Sequence, residues 1–298
     1  MKHTKTYAIV ALLSATTSSV AGEPFLLGTQ AYHHEIKQTK EKEVRVSLES
    51  AFGKVFITKG VSDKILIADF QDGKRSGPGV EISYYIEDNV GHLEMEPGDW
   101  AGIEKTVSGK EWKVPELESG AWYLKFTDSV PLAFNIELGV GEGDFDLTGL
   151  SVKEFKMSAG ASKVTVHFDE PNRSIIEHME IESGVSRFKC YNLGNANFRT
   201  LSFSGGIGSY TLDFGGELRK EVNVNIKVGL GAVTLILPPD VGARVIAEES
   251  WLSKLDVDRG FSQRRSGEYV SDNYNSADGR MQIDVEAGLG SVKIKRSR

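Results

Sequence analysis

Five groups of residues in this 298-residue chain are of types that could do chemistry. Gly139-Val140-Gly141-Glu142-Gly143-Asp144 has the glycine density of a phosphate cradle, where backbone amides hold an anion as a strand runs into a helix N-terminus. Here an alternating apolar pattern follows, so a strand is expected and no helix end is available to the phosphate. A metal site wants three or four converging ligands. Beyond residue 21 the histidines are His33, His34, His92, His167 and His178, and only the first two adjoin. Neighbours on an extended strand point to opposite faces, so no metal ligand is assigned. Ser271-Asp272-Asn273 matches one element of a serine acyl-transfer signature, but no Ser-x-x-Lys nucleophile motif accompanies it. A surface loop over Tyr269 to Gly279 is the expectation. The lone Cys190 occupies an apolar position with no base beside it and reads as a core residue. Trp100 and Trp112 are the candidate partner-binding residues, because exposed aromatic platforms hold sugars. The competing reading folds the segment from Pro97 to Phe126, with Trp122, over an open sheet end that must be hidden. The cap is the favoured reading, for these residues and for Trp251.

Positioning any of these groups requires a scaffold, and composition bounds its kind. The chain carries 35 basic and 42 acidic residues and 32 glycines. Glycine at about 11% exceeds the usual ~7%, and the apolar share is that of a folded protein rather than a disordered or collagen-like one. Met1 to Ala21 runs as a basic start, an apolar stretch from Tyr7 to Leu13 and a small-residue end at Ser19-Val20-Ala21. That is the build of a secretory signal peptide cleaved after Ala21, and its apolar run is too short to span a bilayer. Removal takes out Lys2 and Lys5 and no acid, leaving 33 basic against 42 acidic residues, a net charge of −9. Nucleic acid, which wants a basic face, is excluded as a partner. With one cysteine there is no internal disulfide, so packing must hold the fold.

A repeat organises the chain. The pattern apolar-x-apolar-x-x-Gly-x-(Gly/Ser)-x-apolar-x-apolar is read at eight centres: Ala51, Asn89, Gly141, Gly160, Gly184, Gly206, Gly229 and Gly288. From Gly141 to Gly229 the centres lie 19, 24, 22 and 23 residues apart, about one solenoid coil each. The wider end spacings of 38, 52 and 59 residues mark insertions. Apolar positions alternate with polar ones on both arms, as in half-buried strands. The parity slips by one across the centre, so a bend or bulge belongs there, with glycine supplying positive φ or close stacking. Each copy therefore predicts strand, glycine corner, strand. Eight copies at ~4.8 Å per strand would stack to roughly 35 Å. Any helix is expected only within the insertions.

Three segments, 127–152, 193–214 and 224–245, together with the closing 286–294, make the chain similar to the bacterial toastrack group. That group includes LiaF-like C-terminal domains and the related "putative-adhesin" β-solenoids. The resemblance covers about 40–298 and implies an envelope protein with no catalytic centre to carry over. LiaF-type regulators have membrane helices ahead of the domain, which this sequence does not show.

The expected organisation is a signal peptide over 1–21, an N-terminal arm over 22–45, a β region with the tryptophan-rich insertion over 46–130, and solenoid repeats over 131–298. The fold class is all-β: a glycine-cornered β-solenoid, single-stranded and β-helix-like, of short alternating strands with capping insertions. The expected role is a non-catalytic secreted or periplasmic cell-envelope binding or structural module, with an envelope protein or glycan as partner and no cofactor. Two alternatives stand beside it. One is a glycan-binding or glycan-active β-helix; its acid/base work would fall to outward Glu137, Asp146, Glu180, Glu182, Asp284 and Glu286. These acids are interspersed with Lys156, Lys189, Lys227 and Lys293, as on a solvated face. The other is a soluble regulator of an envelope stress-sensing system.

Overall fold

The computed structural model describes residues 31–71, 80–98, 120–247 and 253–297. In chain order its strands are β1 (Ala31–Lys37), β2 (Glu43–Lys59), β3 (Lys64–Gln71), β4 (Val80–Glu87), β5 (Val90–Pro97), β6 (Ala121–Phe126), β7 (Leu132–Asp146) and β8 (Val152–His167). They continue with β9 (Ile176–Tyr191), β10 (Phe198–Asp213), β11 (Glu221–Leu237), β12 (Gly242–Ala247), β13 (Ser253–Val257), β14 (Phe261–Arg265), β15 (Glu268–Ser271) and β16 (Arg280–Arg296). All belong to one sheet, and β2, β7, β8, β9, β10, β11 and β16 run parallel in that order.

Parallel neighbours ordinarily need a crossover of a dozen or more residues. From β7 to β11 the links are only five to eight residues long. Such links suffice because each long strand folds back on itself at its middle. Phe203 and Tyr210 lie on the same strand seven residues apart, which is ~23 Å if extended. Their ring centroids are 5.3 Å apart. Each coil is thus an arch with a leading and a trailing arm, and the apolar columns of the two arms face each other.

Outside the third arch, those columns are the ones the alternation predicts. Val46, Phe134, Phe155, Met179, Leu201, Val224 and Ile283 stack on the leading arm, and Ile57, Phe145, Val166, Cys190, Leu212, Leu235 and Ile294 on the trailing arm, all at most 1% exposed. Burying side chains of this kind stabilises by ~1.5–3 kcal/mol each before entropy is counted. Of the bend or bulge expected at the corner, all seven arches show the bend: the ladder skips one residue on each partner strand, at Ala51, Gly139, Gly160, Gly184, Gly206, Gly229 and Gly288, and resumes in register.

Two of the eight centres are corrected. Gly141 pairs with Gly53 and Ser162 rather than with a centre, so the third arch turns at Gly139 and its columns begin at Phe134, two residues earlier than expected. Gly143 then occupies an inward column, and the Phe145 ring and Leu138 methyl fill the place a side chain would take. Asn89 is no arch corner at all. Asp88 and Asn89 both have positive φ (50° and 61°) and close a hairpin between antiparallel β4 and β5, the geometry of a type I′ turn. The corner strain also sits elsewhere than the centres: φ is positive two residues on, at Gly53, Gly141, Gly231 and Gly290.

Both ends finish in the same way. Beyond β2, β5 pairs with the leading arm and β6 with the trailing arm, so a split pair of strands replaces an arch. Beyond β16, β12 and β13 do the same. Antiparallel strands then turn the ladder aside, β3 and β1 at one end and β15 and β14 at the other. Trp122 on β6 is 8% exposed and packs edge-on against Phe70 at 5.7 Å. Among the described residues the short helix is a 3-10 turn, Leu193–Ala196, in a coil link rather than in an insertion.

Links between coils are held by asparagines. Buried Asn172 accepts from the Val152 N–H (2.9 Å) and donates to the carbonyls of Val152 (2.7 Å) and Ala196 (3.1 Å). Asn195 donates to the Phe168 carbonyl and accepts from the Glu217 N–H, both at 2.8 Å. These side chains extend the ladder where the backbone leaves it.

Candidate functional site

The residue after each corner centre points outward. Phe52, Val140, Ala161, Val185, Ile207, Leu230 and Leu289 pair in succession across the seven arches. Apart from Ala161, also exposed, they are 40–60% exposed. Six steps at ~4.8 Å make an apolar strip ~29 Å long down the corner edge. Contiguous exposed apolar surface of this kind makes the corner edge the candidate docking surface.

A groove of about 730 Å³ runs beside the strip. Its floor is the backbone of Gly160, Gly184, Gly206, Gly229 and Gly288, and its far wall carries Ser158, Glu182, Ser204, Lys227 and Glu286. The close stacking behind that floor comes from glycine: a Cβ on Gly206 would stand 2.7 Å from the Gly184 carbonyl oxygen.

Charge differs on the two sides of the strip. The leading side presents Glu49, Glu137, Glu182 and Glu286 with one base, Lys227. The trailing side presents Lys54, Lys163 and Arg187 with one acid, Glu142. Glu142 lies between Lys54 (3.8 Å) and Lys163 (4.0 Å), and Lys227 reaches Glu286 (3.7 Å). Among the described residues no ion pair engages Glu182 or Arg187.

The residues singled out from sequence fall elsewhere. Trp100, Trp112 and Trp251 lie outside the described residues. Gly139 to Asp144 is interior to β7, with strand on both sides. His33 hydrogen-bonds Asp69 (2.6 Å) through Nδ1 and faces Glu35 (3.1 Å) through Nε2, so its two nitrogens serve opposite partners; the Asp69 bond, then the Glu35 bond, raise its pKa. His34 is shifted the other way, by burial first. His92 stacks on Tyr85 at 4.9 Å and His167 on Tyr191 at 5.1 Å. Among the described residues no three His, Cys, Asp or Glu side chains converge on a metal-sized site.

Ser271 departs from the surface-loop expectation. It ends β15, is 3% exposed, and its Oγ accepts from the Ala243 N–H at 2.9 Å. Asn273 accepts from Arg296 (3.0 Å) and donates to the Pro239 carbonyl (3.1 Å), so two members of that triplet are structural. Cys190 is fully buried, and burial pushes its thiol pKa far up. Of the outward acids, Glu286 is paired with Lys227, and Asp146 caps the Thr148 N–H at 3.1 Å. On the outer trailing face Phe56 and Tyr123 stack face to face, centroids 4.9 Å apart and rings within 6° of parallel.

Sequence reasoning missed the strip, although the signal was present. Taking the third centre at Gly141 puts Glu142 in the column after the centre, and taking Asn89 as a corner adds Val90 from a hairpin. In the observed register that column is apolar in every arch.

A family model described as the N-terminal domain of toast_rack, DUF2154, matches residues 28–191 and 170–236. No curated protein matches the chain. Among solved structures, a "putative cell adhesion protein" from Clostridium sporogenes is similar, at 19% identity over 91% of this chain and 100% of that one, with a TM-score of 0.46. A "putative adhesin" from Bacteroides fragilis is 12% identical over 90% of this chain and 98% of that one, with a TM-score of 0.30.

Proposed function

The chain belongs to the toast-rack family, and from that premise we propose that it is a non-catalytic cell-envelope module, secreted or periplasmic, that works by docking a partner along its arch corners. The observation that carries this reading is the strip from Phe52 to Leu289. Seven arches each place one apolar residue at the same outward position, where solvent alone would favour polar ones. A rigid parallel ladder holds those side chains at a fixed repeat, so little side-chain order is lost when a partner binds. The signal-peptide build of residues 1–21 supports export, and the acidic balance of the remainder opposes nucleic acid. No helix of the described residues is long and apolar enough to cross a membrane.

The test is affinity capture from envelope extract with the protein lacking residues 1–21, compared with Ile207→Glu. The substitution puts a charge at the middle of the strip on a side chain that is half-exposed, so the fold is expected to survive. A saturable partner retained by the wild type and lost by the variant is the expected result. Capture unaffected by Ile207→Glu, or turnover of envelope glycan by the purified protein, would overturn the reading.

A second reading, glycan binding, draws on the Phe56–Tyr123 stack on the outer trailing face and on Trp100 and Trp112 as a sugar platform. Here soluble peptidoglycan fragments should shift tryptophan fluorescence saturably, and Trp112→Ala should abolish the shift without changing the melting temperature.

A further inference from the structure

We propose that the partner of the corner strip is a second copy of this chain, docked about a two-fold axis parallel to the direction in which the arches stack. This rests on the reading of the strip as a docking surface and names its occupant. Two features of the surface choose both the partner and the operator. The first is shape. The apolar strip is a ridge, and the glycine-floored groove lies on one side of it, toward the leading arm. A two-fold axis along the stack, set midway between ridge and groove, seats each copy's ridge in the other's groove at the same time. Such a contact is isologous and closes at two copies.

The second feature is charge. The same operator turns the leading side of one copy toward the trailing side of the other, so that arch faces like-numbered arch. Glu182 then stands opposite Arg187 of the second copy, and Arg187 opposite its Glu182. Glu49 and Lys54 form the corresponding reciprocal pairs at one end. On β7 the operator sets Glu137 opposite Glu142 of the second copy, where Lys54 and Lys163 already flank Glu142 and offset the repulsion. A two-fold perpendicular to the stack would instead face leading side with leading side. Glu182 would meet Glu182 and Arg187 would meet Arg187, and like charges juxtaposed at an interface oppose association. Charge therefore selects the parallel, in-register dimer.

A strip ~29 Å long and a few residues wide falls short of the ~800 Å² per partner of a standard interface. The dimer is accordingly expected to be weak and concentration-dependent.

The experiment is sedimentation velocity on the protein lacking residues 1–21, from micromolar to millimolar concentration, with variants checked by circular dichroism and thermal melts. A monomer–dimer equilibrium is expected. Glu182→Arg or Arg187→Glu alone should weaken it at least tenfold, corresponding to ~1.4 kcal/mol or more, and the double swap should restore it. Leu289→Cys fixes the orientation: in the parallel dimer this end position meets its own copy, so mild oxidation should give a disulfide-linked dimer while Cys190 stays buried. A monomer throughout, a dimer indifferent to both single swaps, or cross-linking by Val185→Cys but not by Leu289→Cys would each overturn the proposal. An envelope partner lost on Ile207→Glu together with a strictly monomeric protein would overturn the self-association alone and leave the docking reading standing.

Discussion

Tyr84 reaches over Gly91 to donate a hydrogen bond to Glu41, Oη to Oε1 at 3.0 Å. The passage exists because Gly91 has no side chain: a Cβ there would lie 2.4 Å from the phenol oxygen. Glu41 is only 3% exposed, and its carboxylate also takes the Thr39 N–H (3.1 Å) and hydroxyl (2.8 Å). The arrangement ties the β4–β5 hairpin to the turn that enters β2.

Its pH dependence follows from the balance at Glu41. Burial pushes the pKa up, but hydrogen bonds from its own N–H, Thr39 and Tyr84 outweigh that and leave it below the usual value. A carboxyl depressed in the fold contributes stability that is present above the unfolded value of ~4.3 and lost as pH falls through the folded one. Glu41→Gln should thus lower stability by about 1–3 kcal/mol at pH 7. In thermal melts the gap between wild type and variant should close toward pH 3. A gap of constant size from pH 7 to 3 would show that the charge is not what matters. Gly91→Ala, which displaces the phenol, should destabilise at every pH.

Corner glycines are not equivalent, and their substitution should separate them. Gly231 has φ of 147°, and an added Cβ would lie 1.9 Å from the Gly208 carbonyl oxygen. Gly229, the arch centre two residues earlier, is absent from the positive-φ positions, and its Cβ would stand 3.1 Å from the Gly206 oxygen. Gly231→Ala is expected to cost about 1–3 kcal/mol or more, and Gly229→Ala clearly less. Urea unfolding of the two variants checks the order. Equal midpoints would mean that both corner positions are limited by the same contact.

The thiol of Cys190 should be silent in the native protein. It is fully buried in the inward column between Val166 and Leu212, and burial alone drives its pKa far above that of a free thiol. Raising the pH to about 9, where an exposed cysteine is largely thiolate, should not produce labelling by an aromatic disulfide reagent. Labelling is expected only in denaturant. Reaction of the folded protein within minutes would place the side chain outside the column.

What the sequence made legible was whatever depends on period. Alternation on both arms identified the inward columns, because burial on one face imposes a two-residue repeat, and the parity slip located the bend. Register was less legible. Gly139 and Gly141 are both glycine, so the third arch could be read two residues late without losing an apolar column: Leu138 and Leu147 are buried as well. Asn89 fits a corner by residue type, and only antiparallel pairing of Tyr84 with Leu93 shows it to be a hairpin turn. The strip was hidden for the same reason, since one misplaced glycine moved Glu142 into its column. Asn172 and Asn195 carried no periodic signal, because their role depends on which coil link they face.

Asn172 offers the sharpest test of those links. Its amide uses both ends: the oxygen accepts from the Val152 N–H, and the nitrogen donates to the Val152 and Ala196 carbonyls. It is 6% exposed, so water cannot readily replace it. Asn172→Ala leaves these backbone groups without their side-chain partner and should cost about 1–3 kcal/mol. Asn172→Asp is expected to be worse at pH 7, although it is nearly isosteric. The carboxylate can still accept from Val152, but it confronts two carbonyl oxygens with no proton to offer, and it buries an uncompensated charge. Protonation restores one donor, so the penalty of the Asp variant should shrink as pH falls toward 4, whereas that of the Ala variant should not. Melting curves of both variants between pH 7 and 4 decide the matter. If Asp is tolerated better than Ala at pH 7, the amide nitrogen is not the group that joins the coils.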